Sequence, residues 1–288
     1  MAIHRFYLHN GELKEAASPD LFAGQIGLLS GWGIFSTLRI VDGAPFAWER
    51  HWARMTRDAQ LLNVAMPADG GAIEHQVAEL VERNQAPNCT LRFVVVRNAG
   101  GMWEGPSSGR ASDVIVLTAD SKRWGATVRL GIQPHARYAA SDFTRAKIIS
   151  WVHNLRWAER AQEQGLDEVV LLNEFGRATE CTSANIFAAF KTEVVTPPTT
   201  EGCLPGITRE VVVDELRVPG IRVVERPLTV EELQSADEVF ITSTTRGLVP
   251  VVDIAGRAIP QSGDCCRRLL AAFDEFVKAD IAARLMKA

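Results

Sequence analysis

The sequence predicts a two-domain α+β protein, and three observations carry that reading. Its 288 residues suffice for one large domain or two medium ones, each burying a core. Stretches in which apolar residues alternate, and stretches in which they recur every three or four positions, succeed one another along the chain. A polar stretch, ADSKRWG at Ala119 to Gly125, ends one series of strands before another begins. We therefore place a first domain at 1–118, a linker at 119–125 and a larger second domain at 126–288.

In the first domain RFYLHNGEL reads as a strand and turn, and GIFSTLRIVDGAPFAW as a hairpin turning at Asp42-Gly43. ERHWARMTRDAQLLNV has Trp52, Met55, Ala59 and Leu62 at helical spacing on one face. A second helix covers AIEHQVAELVERN, and CTLRFVVVRN and SDVIVLTA are strands. In the second domain TVRLGIQP, EVVLLNEFG, NIFAAFK, EVVTPP and DEVFITSTT read as strands. A helix within FTRAKIISWVHNLRWAERAQEQG is expected to turn Val152, Leu155 and Ala158 inward. Another helix follows GITRE, and CRRLLAAFDEFVKADIAARL forms the last.

Composition narrows the function classes. With 47% hydrophobic and 23% charged residues and a net charge of −4, this is the profile of an ordinary globular protein. The basic residues are scattered, without interleaved aromatics, so nucleic acid is not an expected partner. No apolar run approaches the roughly 20 residues of a membrane span, and MAIHRFYLHNGEL lacks the apolar segment of a signal peptide. The expected location is the cytoplasm. Cys89, Cys181, Cys203, Cys265 and Cys266 are an odd set with no zinc-site spacing, and the histidines are dispersed. Free thiols and no metal centre are expected.

Four features carry chemistry together. Lys147 lies just before a helix; such a lysine is either a snorkelling surface residue or a Schiff-base amine. Glu180 stands in GRATECTSANIFAAF among small polar residues that leave room for a flat ring. Beside a pyridine nitrogen its negative charge would keep that nitrogen protonated. In CLPGITREVVVDEL, Gly206 permits a tight turn and Thr208 opens a helix, so free N–H groups face an incoming anion. In ITSTTRGLVPV a strand ends in hydroxyl residues suited to phosphate oxygens.

Read in order, the chain shows His51 to Arg54, Lys147, GLDE at Gly165 to Glu168 and LNEFG at Leu172 to Gly176. ECTSANIF, TPP at Thr196 to Pro198 and GITR at Gly206 to Arg209 follow. This series resembles the fold-type IV pyridoxal-phosphate enzymes, or class IV aminotransferases. They comprise branched-chain aminotransferases, D-amino-acid transaminases and 4-amino-4-deoxychorismate lyases. The resemblance covers nearly the whole chain, from GWGIFSTLRIVDGAPFAWERHWARM to TSTTRGLVPV. It implies a two-domain fold of the D-amino-acid aminotransferase type, with pyridoxal 5′-phosphate between the domains and a homodimer whose active sites are shared. It makes Lys147 the Schiff-base lysine and the proton shuttle, and Glu180 the partner of the pyridine nitrogen. Arg54, Ile207, Thr208, Thr244 and Thr245 become phosphate ligands. The implied reaction passes an amino group from an amino acid to a 2-oxo acid through a pyridoxamine intermediate.

The chain also departs from the family pattern. Ser150-Trp151-Val152 stands where many relatives have Asn-Tyr-Leu, so the indole N–H of Trp151 is the candidate donor in place of a phenol. Ser36 follows Phe35 where many branched-chain enzymes have an acid, and Phe-Ser-Thr-x-Arg is reminiscent of the lyases. Arg39, Arg92 and Arg97 are the candidates for gripping a substrate carboxylate, and strand parity does not choose between Arg92 and Arg97. Trp103 in GGMWEGPSSG is a candidate cover for a substrate. Phe35 and Trp151 suggest an apolar wall, so the favoured donor is an L-branched-chain or similar apolar amino acid. A D-amino-acid transaminase is the first alternative and an aminodeoxychorismate lyase the second.

Overall fold

The structure is a computed structural model that describes residues 1–18, 24–100 and 109–286. Trp103 therefore lies outside the described residues. The chain packs as two compact units. One is Met1–Arg123 with Ala146–Ser150 and Val277–Ala288; the other is Trp124–Arg145 with Trp151–Phe276.

The first unit is built on six strands: β1 (Ile3–His9), β2 (Glu12–Glu15), β3 (Gly33–Val41), β4 (Ala44–Pro45), β5 (Cys89–Arg97) and β6 (Ser112–Ala119). They pair antiparallel in the order β2-β1-β6-β5-β3-β4. The β3–β4 hairpin turns at Asp42-Gly43, with φ of 50° and 89°, and the β1–β2 hairpin at Asn10-Gly11, with φ of 54° and 82°. Two consecutive positive φ values match the right-handed twist of the strands, which is why Asn-Gly and Asp-Gly serve at these corners. Three helices accompany the sheet: α1 (Ile26–Ser30), α2 (Trp48–Leu61) and α3 (Gly70–Arg83). Asp69 caps α3, its carboxylate accepting from Gly71 and Ala72 N–H at 2.9 and 3.0 Å.

Strand alternation gives this sheet two unlike faces. Ile34, Leu38, Leu91, Phe93, Val95 and Val116 form a core with Trp48, Met55 and Ala59 of α2 and Val77, Leu80 and Val81 of α3. Phe35, Thr37 and Arg39 lie on the other face, opposite Val94, Arg92 and Thr90.

The second unit holds nine strands: β7 (Val128–Gln133), β8 (Glu168–Leu172), β9 (Ala178–Cys181), β10 (Asn185–Phe190), β11 (Glu193–Thr196), β12 (Arg222–Glu225), β13 (Glu238–Ser243), β14 (Gly247–Ile254) and β15 (Arg257–Ala258). Their order is β12-β11-β10-β13-β14-β7-β8-β9, with β15 on β14. The pairs β11–β12, β14–β7 and β7–β8 are parallel. Leu130, Val170, Ile186, Val195, Val239, Ile241 and Val251 are fully buried in its core with Leu228 and Leu233. The helices are α4 (Val152–Glu163), α5 (Ile207–Glu210), α6 (Val230–Ser235) and the part of α7 (Cys265–Leu285) up to Phe276, the rest of α7 belonging to the first unit. A π-helical turn, Val211–Glu215, extends α5, and a capping box of Thr229 and Glu232 starts α6. Both carboxylate oxygens of Glu238 accept backbone N–H groups at the start of α7, from Cys265 at 2.8 Å and Cys266 at 3.1 Å.

One expectation is corrected here. Val152 and Leu155 of α4 are 66% and 52% exposed. The helix instead buries Asn154 and Ala161, with Trp157 partly covered, because its inward stripe begins at a polar residue with hydrogen bonds to make. The strip Ala146–Ser150 packs with the first unit. It bridges β3 through Ile34 and Ile148, so Lys147 and Glu180 sit in different units.

Candidate active site

Each unit carries its own group of candidate residues. In the first, Lys147 is held through its backbone from two sides. Asp58 Oδ2 accepts its N–H at 3.0 Å, and its carbonyl accepts the Phe35 N–H at 3.0 Å. Its Nζ lies 4.6 Å from the centroid of the Phe35 ring. The Arg92 guanidinium lies 3.7 Å from the centroid of the same ring, and Arg92 Nη1 donates to Thr37 Oγ1 at 3.4 Å. Burial lowers the Arg92 pKa to about 10, so the side chain still carries its charge at neutral pH.

The other two arginines are placed differently. Arg97 stacks over Trp32 at 4.2 Å and donates from Nε to Ala99 O at 2.8 Å. Arg39 shares the Phe35 face of β3, opposite Thr90. Arg92 is thus the arginine that meets the ring beside Lys147.

Arg54 is buried on α2 and donates from Nη2 to Ser36 Oγ at 2.8 Å. Ser36 Oγ lies 2.7 Å from His51 Nδ1. Burial holds the His51 pKa well below its ordinary value, helped by the charges of Arg54, Lys147 and Arg284. A neutral His51 accepts from the Ser36 hydroxyl, which accepts in turn from Arg54. Ser36 therefore faces α2, away from Phe35, and its part is to orient Arg54.

In the second unit Glu180 is buried on β9. Its Oε1 accepts from Arg137 Nε and Nη2 at 3.2 and 3.1 Å, and its Oε2 accepts the Leu204 N–H at 3.0 Å. Asn185 Nδ2 donates to the Leu204 carbonyl at 2.8 Å. Glu180 and Asn185, both from ECTSANIF, thus grip Leu204 at its two polar ends. Gly206 follows two residues later, and a Cβ there would stand 2.1 Å from Asn185 Oδ1, so any larger residue must push the Asn185 amide aside. Ile207 and Thr208 open α5 and are buried. Thr208 Oγ1 and Thr242 Oγ1 are buried without a hydrogen-bond partner among the described residues. Such hydroxyls are costly unless an acceptor or donor comes to them, as the oxygens of a phosphate would. Thr244 and Thr245 occupy the turn between β13 and β14, half-buried, and Trp151 is half-buried just ahead of α4.

Asp58, Arg137, Glu168 and Arg246 also belong to these groups, and no motif in the sequence gives them a role. Glu168 Oε2 accepts from Thr182 N–H at 3.1 Å and from its hydroxyl at 2.5 Å. Glu168 Oε1 accepts from Ser183 and from both terminal nitrogens of Arg246 at 3.1 Å. Arg246 in turn stacks 3.9 Å over Trp124. This buried pair clamps the turn that follows Glu180. Asp58 did leave a signal: it stands four residues after Arg54, on the buried stripe of an amphipathic helix. Arg137 left none, because its segment has no periodicity.

Among the described residues no group of His, Cys, Asp and Glu is suited to hold a metal ion. All five cysteines are free and buried, and burial pushes the Cys89, Cys203 and Cys266 thiols up to about 12, which suppresses their reactivity. No described helix is long and apolar enough to cross a membrane.

The sequence profile of the family described as Amino-transferase class IV matches residues 33–254. A Methanocaldococcus jannaschii protein, assigned provisionally as a branched-chain-amino-acid aminotransferase, is 30% identical over 94% of this chain and 96% of its own. The D-alanine aminotransferase of Bacillus licheniformis is 29% identical over 88% of this chain and 89% of its own. Among solved structures, the branched-chain amino acid aminotransferase of T.th., complexed with N-(5′-phosphopyridoxyl)-L-glutamate, superposes with a TM-score of 0.86. It is 25% identical, covering 96% of this chain and 95% of that one. The unpartnered Thr208 hydroxyl, the glycine turn beside it and the buried Glu180 carboxylate suit a phosphorylated pyridine. By profile, relatives and fold, the chain belongs to the class IV aminotransferases and works with pyridoxal 5′-phosphate.

Proposed function

We propose that the enzyme takes the amino group from an L-branched-chain or similar apolar amino acid and passes it to a 2-oxo acid. The seat of Lys147 carries this reading: an amine 4.6 Å from an aromatic ring whose other cationic neighbour is Arg92, at 3.7 Å. An amino acid needs one group to work at its α-carbon and a second to take its carboxylate. Lys147 supplies the first and the Arg92 fork the second. Phe35 gives the apolar surface that favours an aliphatic side chain.

Pyridoxal phosphate, when bound, supplies the electron sink that makes the α-proton labile. Lys147 Nζ would hold the cofactor and move the proton at the α-carbon of the donor. Glu180, hydrogen-bonded to Arg137, would be the partner of the pyridine nitrogen. In the second unit the Ile207 and Thr208 N–H groups, the Thr208 hydroxyl, Thr244 and Thr245 would take the phosphate; Arg54 keeps the role of phosphate ligand that the class IV sequence pattern implies. The Trp151 indole N–H would be the donor to the cofactor's ring oxygen. A homodimer of such subunits in the cytoplasm is the corresponding assembly and location, to be read by size and fractionation.

Visible absorption of the purified, cofactor-loaded protein tests the substrate reading. With no acceptor present, L-leucine should convert the lysine-bound band to the pyridoxamine band and D-alanine should not. Conversion by D-alanine alone would make this a D-amino-acid transaminase. Response to neither, with pyruvate released from aminodeoxychorismate, would make it a lyase. Lys147→Ala should abolish turnover, and full activity in that variant would sink the role of the lysine.

A further inference from the structure

We propose that Asp58 is a positioning residue for Lys147, and that α2 sets the lysine backbone from one helical turn beyond Arg54. The proposal rests on the reading of Lys147 as the cofactor lysine. The buried stripe of α2 carries Trp48, Met55 and Ala59, and interrupts them with His51, Arg54 and Asp58. Arg54 and Asp58 are one turn apart, about 6 Å along the axis at 1.5 Å per residue. Arg54 reaches Ser36; Asp58 reaches the backbone N–H of Lys147.

Asp58 is 1% exposed, and a carboxylate is kept there only if it is well hydrogen-bonded. Its Oδ1 takes Arg57 Nε at 3.0 Å from the solvent side, and its Oδ2 is given to Lys147. A hydrogen bond to an ionised acceptor is stronger than one between neutral groups, so this is the firmer of the backbone ties on the lysine. The strip Ala146–Ser150 needs such a tie. It meets β3 through a single bridge, Ile34 to Ile148, with Lys147 O accepting from Phe35 and Gly33 O accepting from Ile149 at 3.0 Å each. Without Asp58 the lysine keeps its amine but loses the helix that fixes where the amine starts. Displacement of a reacting group by about 1 Å costs on the order of a hundredfold in rate.

Amide hydrogen exchange and steady-state kinetics test this together. Asp58→Ala and Asp58→Ser, whose shorter hydroxyl does not reach the amide, should speed exchange at Lys147 by about tenfold or more, while α2 stays protected. In the same variants kcat should fall by about ten- to a hundredfold, with KM for the donor shifted less than about threefold. Asp58→Asn, which keeps a carbonyl oxygen in place, should recover most of both, and Arg57→Ala should change neither. Borohydride trapping of the cofactor with peptide mapping separates the two readings. Trapping at another lysine overturns the reading of Lys147 and this proposal with it. Trapping at Lys147 with unchanged exchange and kcat in Asp58→Ala and Asp58→Ser overturns this proposal alone. Should Asp58→Ala fail to fold, Asp58→Ser and its comparison with Asp58→Asn carry the test.

Discussion

At Arg92, desolvation and function pull in opposite directions. Burial lowers its pKa to about 10, a cost accepted only where a fixed cation is useful, and its guanidinium rests on the Phe35 ring. Lysine in its place would keep a charge but lose both the flat stacking surface and the paired donors. Since a charge-assisted hydrogen bond contributes about 1.5–3 kcal/mol, Arg92→Lys should raise KM for the amino donor by about ten- to a hundredfold with a smaller change in kcat. Arg97→Gln should change KM less than about threefold, because that guanidinium is engaged by Trp32 and Ala99. Steady-state kinetics on the two variants decide the matter, and the reverse pattern would move the carboxylate grip to Arg97. The same residues show what sequence could and could not say. Lys147 and Glu180 stand out as candidates in the sequence because the chemistry they offer is specific and their motifs are local. Asp58, Arg137 and Arg246 do not, since their partners lie 89, 43 and 78 residues away and the pairing exists only in the fold.

At the level of elements, the loop from Leu204 to Thr208 shows how a short motif fixes a backbone. Glu180 and Asn185 hold Leu204 by its N–H and its carbonyl, and the chain then turns at Gly206 into α5. Gly206 has φ −72° and ψ 140°, a conformation any residue adopts, so backbone strain is not what demands glycine there. The demand is steric. Gly206→Ala would drive its methyl against Asn185 Oδ1 and displace the amide that holds Leu204. Crowding of this kind costs about 1–3 kcal/mol, and here it falls on the turn that presents Ile207 and Thr208. Gly206→Ala should therefore weaken pyridoxal phosphate binding by about tenfold or more while the melting curve stays cooperative. Titration of the cofactor-free protein by absorbance reads this, and unchanged affinity would remove the loop from the phosphate site. Hairpins and strands were legible in this way too, through Asp42-Gly43 and alternating runs. The inward face of α4 was not, because Val152 and Leu155 obey helical spacing yet lie exposed while Asn154 takes the buried place.

For the whole molecule, the sequence supports two domains through the polar stretch at 119–125, yet the first unit is not one continuous length of chain. Ala146–Ser150 and the chain from Val277 belong to it. Tertiary pairing decides this, and no compositional boundary marks it. The last turns of α7 bring Asp280 and Arg284. Asp280 Oδ2 accepts the Ala47 N–H at 2.9 Å at the start of α2. Arg284, 11% exposed in its side chain, meets Asp280 at 3.1 Å, Glu74 at 2.8 Å and Glu49 as well. Removing one member of a partly buried charge group leaves the others short of a counter-charge. With Glu49 largely exposed, Arg284→Ala should cost about 1–3 kcal/mol, less than a fully buried pair would. A fragment ending at Arg123 loses more: Arg284 and Asp280, together with the Lys147 strip and its bonds to β3. That fragment should show no cooperative unfolding in urea and poor amide dispersion by nuclear magnetic resonance, though it keeps β1 to β6 and α1 to α3. A cooperative transition in the isolated fragment would mean that its sheet and helices suffice, and that the returning segments only decorate a domain already complete.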